Sequence, residues 1–553
     1  MTASPPALLA ALFDSPLGAT LLRQNLLLLT PELLLLLTAG LLLLFAASRQ
    51  ESLRREIWPT ALIGSFVACV AMSALFVLTH MNPQGLLLTD PVNIPVASEQ
   101  LRVDLMGSLM RWTILLSTFL VILMSGRYLE RRLAAASGEF FALLLCGTVG
   151  ALLLTMAHDL VMFFVALETL GISSFLLAGF ARNDARSAEA GLKFLLYGGG
   201  ASACLLFGFS LLYGLSGGHT DFAGLITALS ASAKPLPLLA IAPAMGALIL
   251  AGLLFKLSAA PFHQWTPDVY EGAPTPVTAY LSVISKLAAF AAAIRIVSLI
   301  LAPMPAFQGH AHAPLFFALA LVAMVSMTWG NLAALRQRSM KRMLAYSTIA
   351  HVGYLLLGLA LAAAGATAAL PATLFYLLTY AFMNLGAFAA AIRFENETGS
   401  DALADYAGLG RKKPWLTAAM SIFLLSLAGI PIMAGFFSKF FLFQAVALTG
   451  GPALWLILFA LLNSTISLYY YLNVIRLMTI APPSSPVERL SRGVRQPASA
   501  FAMAMTLAIC AAATLLLGLF AEPAMGLSRH AIAQLGKADP YARVFLLSQR
   551  SEP

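Results

Sequence analysis

Apolar residues fill long runs of this chain, and Pro, Gly and charged residues gather in short stretches between them. A bilayer-spanning helix needs roughly 20 consecutive apolar residues. Boundaries placed at the breakers predict 14 such spans: Leu26–Ala47, Trp58–Thr79, Leu105–Gly126, Phe140–Met156, Leu160–Phe180, Leu192–Leu215, Leu238–Phe262, Thr275–Leu301, Leu315–Leu335, Met343–Ala363, Thr373–Arg393, Trp415–Leu448, Ala453–Leu477 and Ala498–Leu519. The twelfth run is about 34 residues long and contains Gly429, Pro431 and Gly435, so it is expected to be a broken helix. The fold class expected is an all-α polytopic membrane protein.

Loop charges test that count independently. Lys and Arg in the loops after odd-numbered spans number twenty, from Arg49, Arg54 and Arg55 to Arg476, Arg489, Arg492 and Arg495. The loops after even-numbered spans carry Arg102 and Lys234. A miscounted helix would scramble this alternation. By the positive-inside rule the odd-numbered loops are cytoplasmic and both termini lie outside.

Composition agrees. Of 553 residues 60% are hydrophobic and 10% charged, and the mean hydropathy is +0.86. Soluble domains carry about 25% charged residues, so an ordinary soluble enzyme is excluded, as are disorder, collagen and a disulfide scaffold. The net charge of +9 reads as orientation signals rather than a nucleic-acid footprint. Cys69, Cys146, Cys204 and Cys510 sit in apolar runs with no CxxC and no iron–sulfur or zinc spacing. The histidines are scattered apart from His310 and His312 in a loop, and no GxGxxG opens a βα unit. No cofactor or metal is expected on this chain. The first 20 residues lack a basic n-region and a cleavage site, so no cleaved signal peptide is expected.

A few charges lie inside the predicted spans, where charge is costly and therefore marks function. Glu168 is near the centre of span five, in FFVALETLGISSFLL. Lys256 is in span seven, in AGLLFKLSAAPF, and Lys286 is in the middle of span eight, in YLSVISKLAAFAAAIRI. Lys439 follows the break of span twelve, in IPIMAGFFSKFFLF, and His351 is in span ten. Glu189 and Lys193, four apart at the start of span six, share a helical face and form a secondary pair.

Plainer readings compete. A cation near a helix end ordinarily snorkels to water; that is the expectation for Arg295 and one of two readings for Lys193. Glu168 has a structural ion pair with a lysine as its alternative. His351 divides between packing and proton carriage. Asp159, beside His158, reads as a short-loop residue. The chemistry favours transport, because burial disfavours the charged form of either Lys or Glu and a neighbouring opposite charge restores it. A Glu–Lys pair whose separation changes is then a proton switch. Moving a charge against the membrane potential costs about 2.3 kcal/mol per 100 mV, and no nucleotide or redox site is visible here to supply it.

Offsets of 181–183 recur: Glu168 to His351, Lys256 to Lys439, Arg295 to Arg476. They predict that spans four to eight repeat as nine to thirteen, and an odd number of helices inverts the second copy. Pro261 and Pro431 mark breaks in the matching spans at an offset of 170. The division expected is a three-helix segment (1–136), a first repeat (137–302), a second, inverted repeat (313–480), and a loop, last helix and tail (481–553).

The segments FKLSAAPFHQWTPDVYEGAPTPVTAYLSVISK, SMKRMLAYSTIAHVGYLLLGL, YAFMNLGAFAAAI and LAGIPIMAGFFSKFFLF resemble the antiporter-like subunit N (subunit 2) family of complex I, NADH-quinone oxidoreductase, with the match running from about Arg127 to Arg476. RNDARSAEAGLKFLLYGGGASACLLFGFSLLYGLSGG is similar to the cyanobacterial and plastid form. The resemblance implies 14 transmembrane helices and proton translocation driven by electron transfer to quinone in other subunits. It places NADH, FMN, Fe–S clusters and quinone on those partners, and it implies antiporter-like and small membrane subunits as neighbours. The setting implied is the inner membrane of a bacterium, or a thylakoid membrane if the source is cyanobacterial.

Position by position, the family's buried glutamate matches Glu168 and the lysine of its first broken helix matches Lys256. Its central channel lysine matches Lys286, and the lysine of its second broken helix matches Lys439. Gln264 and Trp265 match a motif near the break and are read as structural. The first 20 residues match nothing in the family pattern. The function expected is a proton-translocating membrane-arm subunit. Glu168 and Lys256 would be the modulating pair, Lys286 the central carrier, His351 a relay and Lys439 the exit group. The alternative is a subunit of a cation/proton antiporter of the same fold; a quinone-binding subunit and a purely structural arm subunit are the remaining readings.

Overall fold

The computed structural model describes residues 23–81, 94–97, 99–230, 236–304, 314–490 and 498–538. The expectations resting on residues 1–22, Lys234, His310, His312, Arg492 and Arg495 lie outside the described residues.

The helices, in chain order, begin with α1 (Thr30–Ala47), α2 (Ile57–His80), α3 (Leu105–Arg132), α4 (Ser137–Met156), α5 (Leu160–Ala178) and α6 (Ala185–Ser216). Next come α7 (Leu236–Leu257), the short α8 (Trp265–Gly272), α9 (Thr275–Arg295), α10 (Pro314–Ala334), α11 (Met340–Ala363) and α12 (Leu370–Thr398). The chain continues with α13 (Pro414–Ala428), α14 (Ala434–Thr449), α15 (Leu454–Thr479), α16 (Ala498–Leu519) and α17 (Ala521–Ala538). Twelve helices among the described residues are long and apolar enough to cross a membrane. The other two expected spans fall on α7, which stops at Leu257 before its apolar run ends, and on the two shorter apolar helices α13 and α14, between which the chain breaks.

Polar caps start several helices. The Asp104 carboxylate accepts from Gly107 N at 2.7 Å, and Asp159 accepts from Val161 N and Met162 N at 2.8 and 3.1 Å. Asp159 is thus a short-loop residue that caps α5. The loop after α2 holds a departure from the all-helical expectation, an antiparallel pair of strands, Ile94–Val96 and Leu101–Val103.

Helices α9, α11 and α12 form the centre, with 94% of their apolar windows buried, whereas α1, α2, α6, α15 and α16 form the rim, at 28–33%. Side chains on the first three are therefore the most thoroughly enclosed by protein.

Close packing recurs along the chain. A methyl at Gly150 on α4 would lie 2.6 Å from Leu170 N and 2.9 Å from Ala166 O on α5. A methyl at Gly330 on α10 would lie 2.6 Å from Ala350 N and 2.8 Å from Tyr346 O on α11. Each partner stands 180 residues from its counterpart. This register is about one helical turn away from the 183 spacing of Glu168 and His351. It sets Glu168 level with Thr348 and Gly171 level with His351. A one-turn slip keeps the same helical face, so the sequence pattern alone could not choose the turn.

Two ion pairs lie deep in the first half. Arg111 donates to Glu32 from Nε at 3.0 Å and from Nη2 at 2.7 Å. Arg295 pairs with Asp104 at 2.6 Å and donates from Nε to Thr155 O at 3.0 Å. Arg295 is 1% exposed, so the snorkelling expectation for it is corrected: its helix is central, and its charge is met by protein instead of interfacial water.

Candidate functional site

Helix α7 runs to Leu257 and stops. Ser258 follows with φ of 67°, and the chain turns through residues 259–264 before α8. A helix end leaves carbonyls without intrahelical partners and carries partial negative charge. Lys286, on α9 and fully buried, meets both needs: its Nζ donates to Lys256 O at 3.1 Å and to Ser258 Oγ at 2.5 Å. Thr266 Oγ1 donates to the same Ser258 hydroxyl at 2.7 Å. The Lys286 ammonium also stands 4.9 Å from the centre of the Trp265 ring, whose Nε1 donates to Phe255 O at 3.1 Å. Trp265 is therefore both a structural clasp of the break, as read from sequence, and a wall of the lysine's pocket.

Lys256, the penultimate residue of α7, points the other way, toward α5. It is 3% exposed. With Glu168, Gly171, Ser202 and Phe175 it lines a small cavity of about 10 Å³. A methyl on Gly171 would lie 3.6 Å from Lys256 Nζ and 3.9 Å from Glu168 Oε2, so the two charges face each other across that glycine. Glu168 is half-buried, and its Oε1 accepts from Ser202 Oγ at 2.5 Å. The expected Glu168–Lys256 couple is thus brought together, with room between the partners.

The second break repeats the arrangement with different residues. Helix α13 ends at Gly429, whose φ of 90° takes the chain out of the helix, and α14 resumes at Ala434. Lys439 on α14 folds back so that Nζ donates to Leu427 O at 3.2 Å and Ala428 O at 3.0 Å. It also donates to Ser464 Oγ at 3.0 Å and stands 5.1 Å from the centre of the Tyr354 ring.

His351 is buried on α11 amid hydroxyl groups. Its Nδ1 hydrogen-bonds with Tyr376 Oη at 2.7 Å, and its Nε2 with Tyr471 Oη at 3.3 Å. Tyr471 Oη is 2.5 Å from Ser347 Oγ. Tyr470 Oη donates to Asn331 Oδ1 at 3.1 Å, and Asn331 Nδ2 donates to Tyr354 Oη at 3.3 Å. Both ring nitrogens of this buried imidazole are thereby satisfied, as burial of a polar group requires. Groups that both donate and accept can pass a proton by reorienting.

Ser202, Ser258, Ser464, Tyr376 and Tyr471 were not singled out from sequence. The signal available for the tyrosines was their place inside apolar runs, in LFYLLTYAF and ISLYYYLN; buried hydroxyls seek partners.

Glu189 and Lys193 do pair, at 2.7 Å, but away from this row. Lys193 also meets Asp268 at 2.8 Å, and Arg342 meets Asp268 at 2.8 Å and Glu271 at 2.7 Å. This network ties α6, α8 and α11 on the face of the arginine-rich loops. Burial works to raise the Asp268 carboxyl, but the Lys193 and Arg342 hydrogen bonds and charges outweigh it and hold Asp268 below the usual carboxylate range.

A family model described as NADH:quinone oxidoreductase/Mrp antiporter, TM, matches residues 157–467. The chain is similar to NAD(P)H-quinone oxidoreductase subunit 2 of Thermosynechococcus vestitus, at 45% identity over 432 residues, or 78% of this chain and 80% of that one. Among solved structures it is similar to a chain of respiratory complex I from Thermus thermophilus, at 30% identity and a TM-score of 0.67 over 88% of this chain and 98% of that one. A chain of the Mrp complex from a Dietzia species shares the fold at 22% identity, with a TM-score of 0.75 over 95% of this chain and 99% of that one.

Proposed function

The chain belongs to the NADH:quinone oxidoreductase/Mrp antiporter transmembrane family, and from that premise we propose how its buried charges carry protons. It is a membrane-arm subunit of a proton-translocating NAD(P)H-quinone oxidoreductase, working among other membrane subunits in the cell or thylakoid membrane. NADH, FMN, Fe–S clusters and quinone belong, in this proposal, to partner subunits that supply the driving force. Residues 137–302 and 313–480 are its two repeats, between an N-terminal segment (1–136) and a C-terminal one (481–553).

Glu168 and Lys256 are the modulating pair. When they approach, Lys256 holds its proton; when they separate, the proton is released. Lys286 is the central carrier, His351 with Tyr376 and Tyr471 the relay, and Lys439 the exit-side group. Glu189 and Lys193 serve at the rim. One observation carries this reading: the Lys286 ammonium sits 3.1 Å from the backbone carbonyl of Lys256. Movement of the α7 break is thereby felt by both lysines. The cation/proton antiporter alternative draws on the Mrp likeness, which shows the fold alone.

The test is the assembled complex carrying Lys286→Ala. Electron transfer is expected to lose its coupling to proton movement, and normal translocation with intact assembly would sink the assignment. Glu168→Gln is expected to lower coupled turnover; unchanged coupling there would make the pair structural.

A further inference from the structure

A groove of about 570 Å³ opens on the rim of the bundle between α13 and α16. Its walls include Leu416, Ala419, Ile422, Leu507, Ala508 and Ala511, and the alanines leave the hollow. Its mouth is cationic, with Arg393 near the end of α12 and Lys412 and Lys413 in the segment between α12 and α13, on the side that the positive-inside count places in the cytoplasm. Arg393 and Lys413 meet the Glu397 carboxylate at 2.6 and 3.2 Å, and Lys412 donates to the backbone carbonyl of Glu488 at 3.2 Å. Among the described residues Lys412 meets a neutral carbonyl and no carboxylate, so its positive charge is not offset at the mouth.

Depth narrows the occupant. Trp415, 88% exposed, stands beside the cations, and tryptophan marks the level of lipid headgroups. The lining residues run from Trp415 to Ile422 on α13 and from Met503 to Ala511 on α16, a rise of about 10–12 Å. Half of a hydrocarbon core about 30 Å thick is one leaflet. The groove therefore starts at headgroup level and ends within that leaflet. A transmembrane helix of a neighbouring subunit would need a track through the whole bilayer. A small free anion would have no use for the apolar walls.

We propose that this groove binds an anionic phospholipid of the cytoplasmic leaflet, with its phosphate at Lys412 and Lys413 and an acyl chain laid between α13 and α16. Basic pockets between helices on the cytoplasmic side suit anionic headgroups. The lipid would brace α13, the helix whose broken end Lys439 caps.

The purified complex, depleted of lipid by detergent exchange, is titrated with phosphatidylglycerol, phosphatidylcholine or sodium phosphate, and bound lipid is counted by mass spectrometry. Each lysine near the surface is worth about a fivefold change in affinity, so Lys412→Gln/Lys413→Gln is expected to weaken phosphatidylglycerol binding about thirtyfold. Phosphatidylcholine binding is expected to be unchanged. Ala508→Trp, which fills the groove and keeps both lysines, is expected to remove the same lipid. Equal binding of phosphatidylcholine and phosphatidylglycerol would overturn the proposal. So would competition by sodium phosphate at concentrations matching the lipid, full phosphatidylglycerol binding in both variants, or a photo-crosslinker at position 419 capturing a neighbouring subunit instead of lipid.

Discussion

Gly171→Ala isolates the proposed Glu168–Lys256 switch with the smallest possible change. The added methyl would lie 3.6 Å from Lys256 Nζ, 3.9 Å from Glu168 Oε2 and 3.6 Å from Phe175 Cζ, all ordinary contacts. No backbone has to move, and alanine is favoured over glycine inside a helix by roughly 0.5–1 kcal/mol, so assembly is preserved. The methyl occupies the space between the two charges, where the shared cavity is about 10 Å³, near the minimum for one water-sized molecule. A hydrogen bond to a charged group contributes about 1.5–3 kcal/mol. If proton exchange between the pair runs through that space, its loss slows the step about ten- to a hundredfold. The assay is proton uptake into vesicles containing the assembled complex, read beside NAD(P)H oxidation. Proton uptake at the parental rate with full assembly would refute the reasoning, and failure to assemble would contradict the contact distances.

Three further outcomes are expected. Arg111→Met strands a buried Glu32 and should destabilise the assembled complex by about 3–5 kcal/mol; Arg111→Met/Glu32→Leu should recover most of the loss of heat resistance, and a double variant no better than the single would count against the pair. Gly330→Ala forces a methyl to 2.6 Å from Ala350 N, so α10 and α11 must part at a cost of about 1–3 kcal/mol, whereas Gly199→Ala, with nothing within 4 Å, should leave thermal inactivation unchanged. Asp268 is held below the usual carboxylate range, so its stabilisation is present above the unfolded value of about 3.9 and lost as pH falls through the lower folded value. Asp268→Asn should therefore inactivate faster than the parent at neutral pH, with the difference closing as the solution is acidified; a gap that does not shrink on acidification would reject this.

Charges inside apolar runs were legible in the sequence because the bilayer leaves few plain reasons for them, and Glu168, Lys256, Lys286 and Lys439 all stand at the helix breaks or beside them. What each lysine touches was not legible. Ser258 and the carbonyls of Leu427 and Ala428 become partners through the geometry of two breaks, which Pro and Gly announce without fixing its direction. The hydroxyl shell of His351 comes from three helices, and no local pattern joins Ser347, Tyr376 and Tyr471. Arg295 was misread for the same reason: its partner Asp104 lies far away in sequence, and position near a helix end says nothing of where that helix sits in the bundle.

The two halves share a device and differ in the residue that operates it. At the packing register of 180, Glu168 corresponds to Thr348 and Gly171 to His351, so the second half places no carboxylate at that level. Around the breaks, Lys256 O and Leu427 O, 171 residues apart, each receive a lysine ammonium. The first comes from α9, which follows α8 beyond the break, and the second from α14, the far arm of the broken helix itself. The recurring feature is thus a capped helix end, and it follows from the unpaired carbonyls and partial negative charge found at any buried C-terminus. Taking the proton from either lysine withdraws the cation that steadies its break. On the proposed route, the input half adds the Glu168 charge as a second control on that step, while the output half meets its lysine with two carbonyls, the Ser464 hydroxyl and the Tyr354 ring, and holds His351 between two tyrosine hydroxyls. Control of direction then belongs to the half that can change its electrostatics, and passage to the half that can only relay.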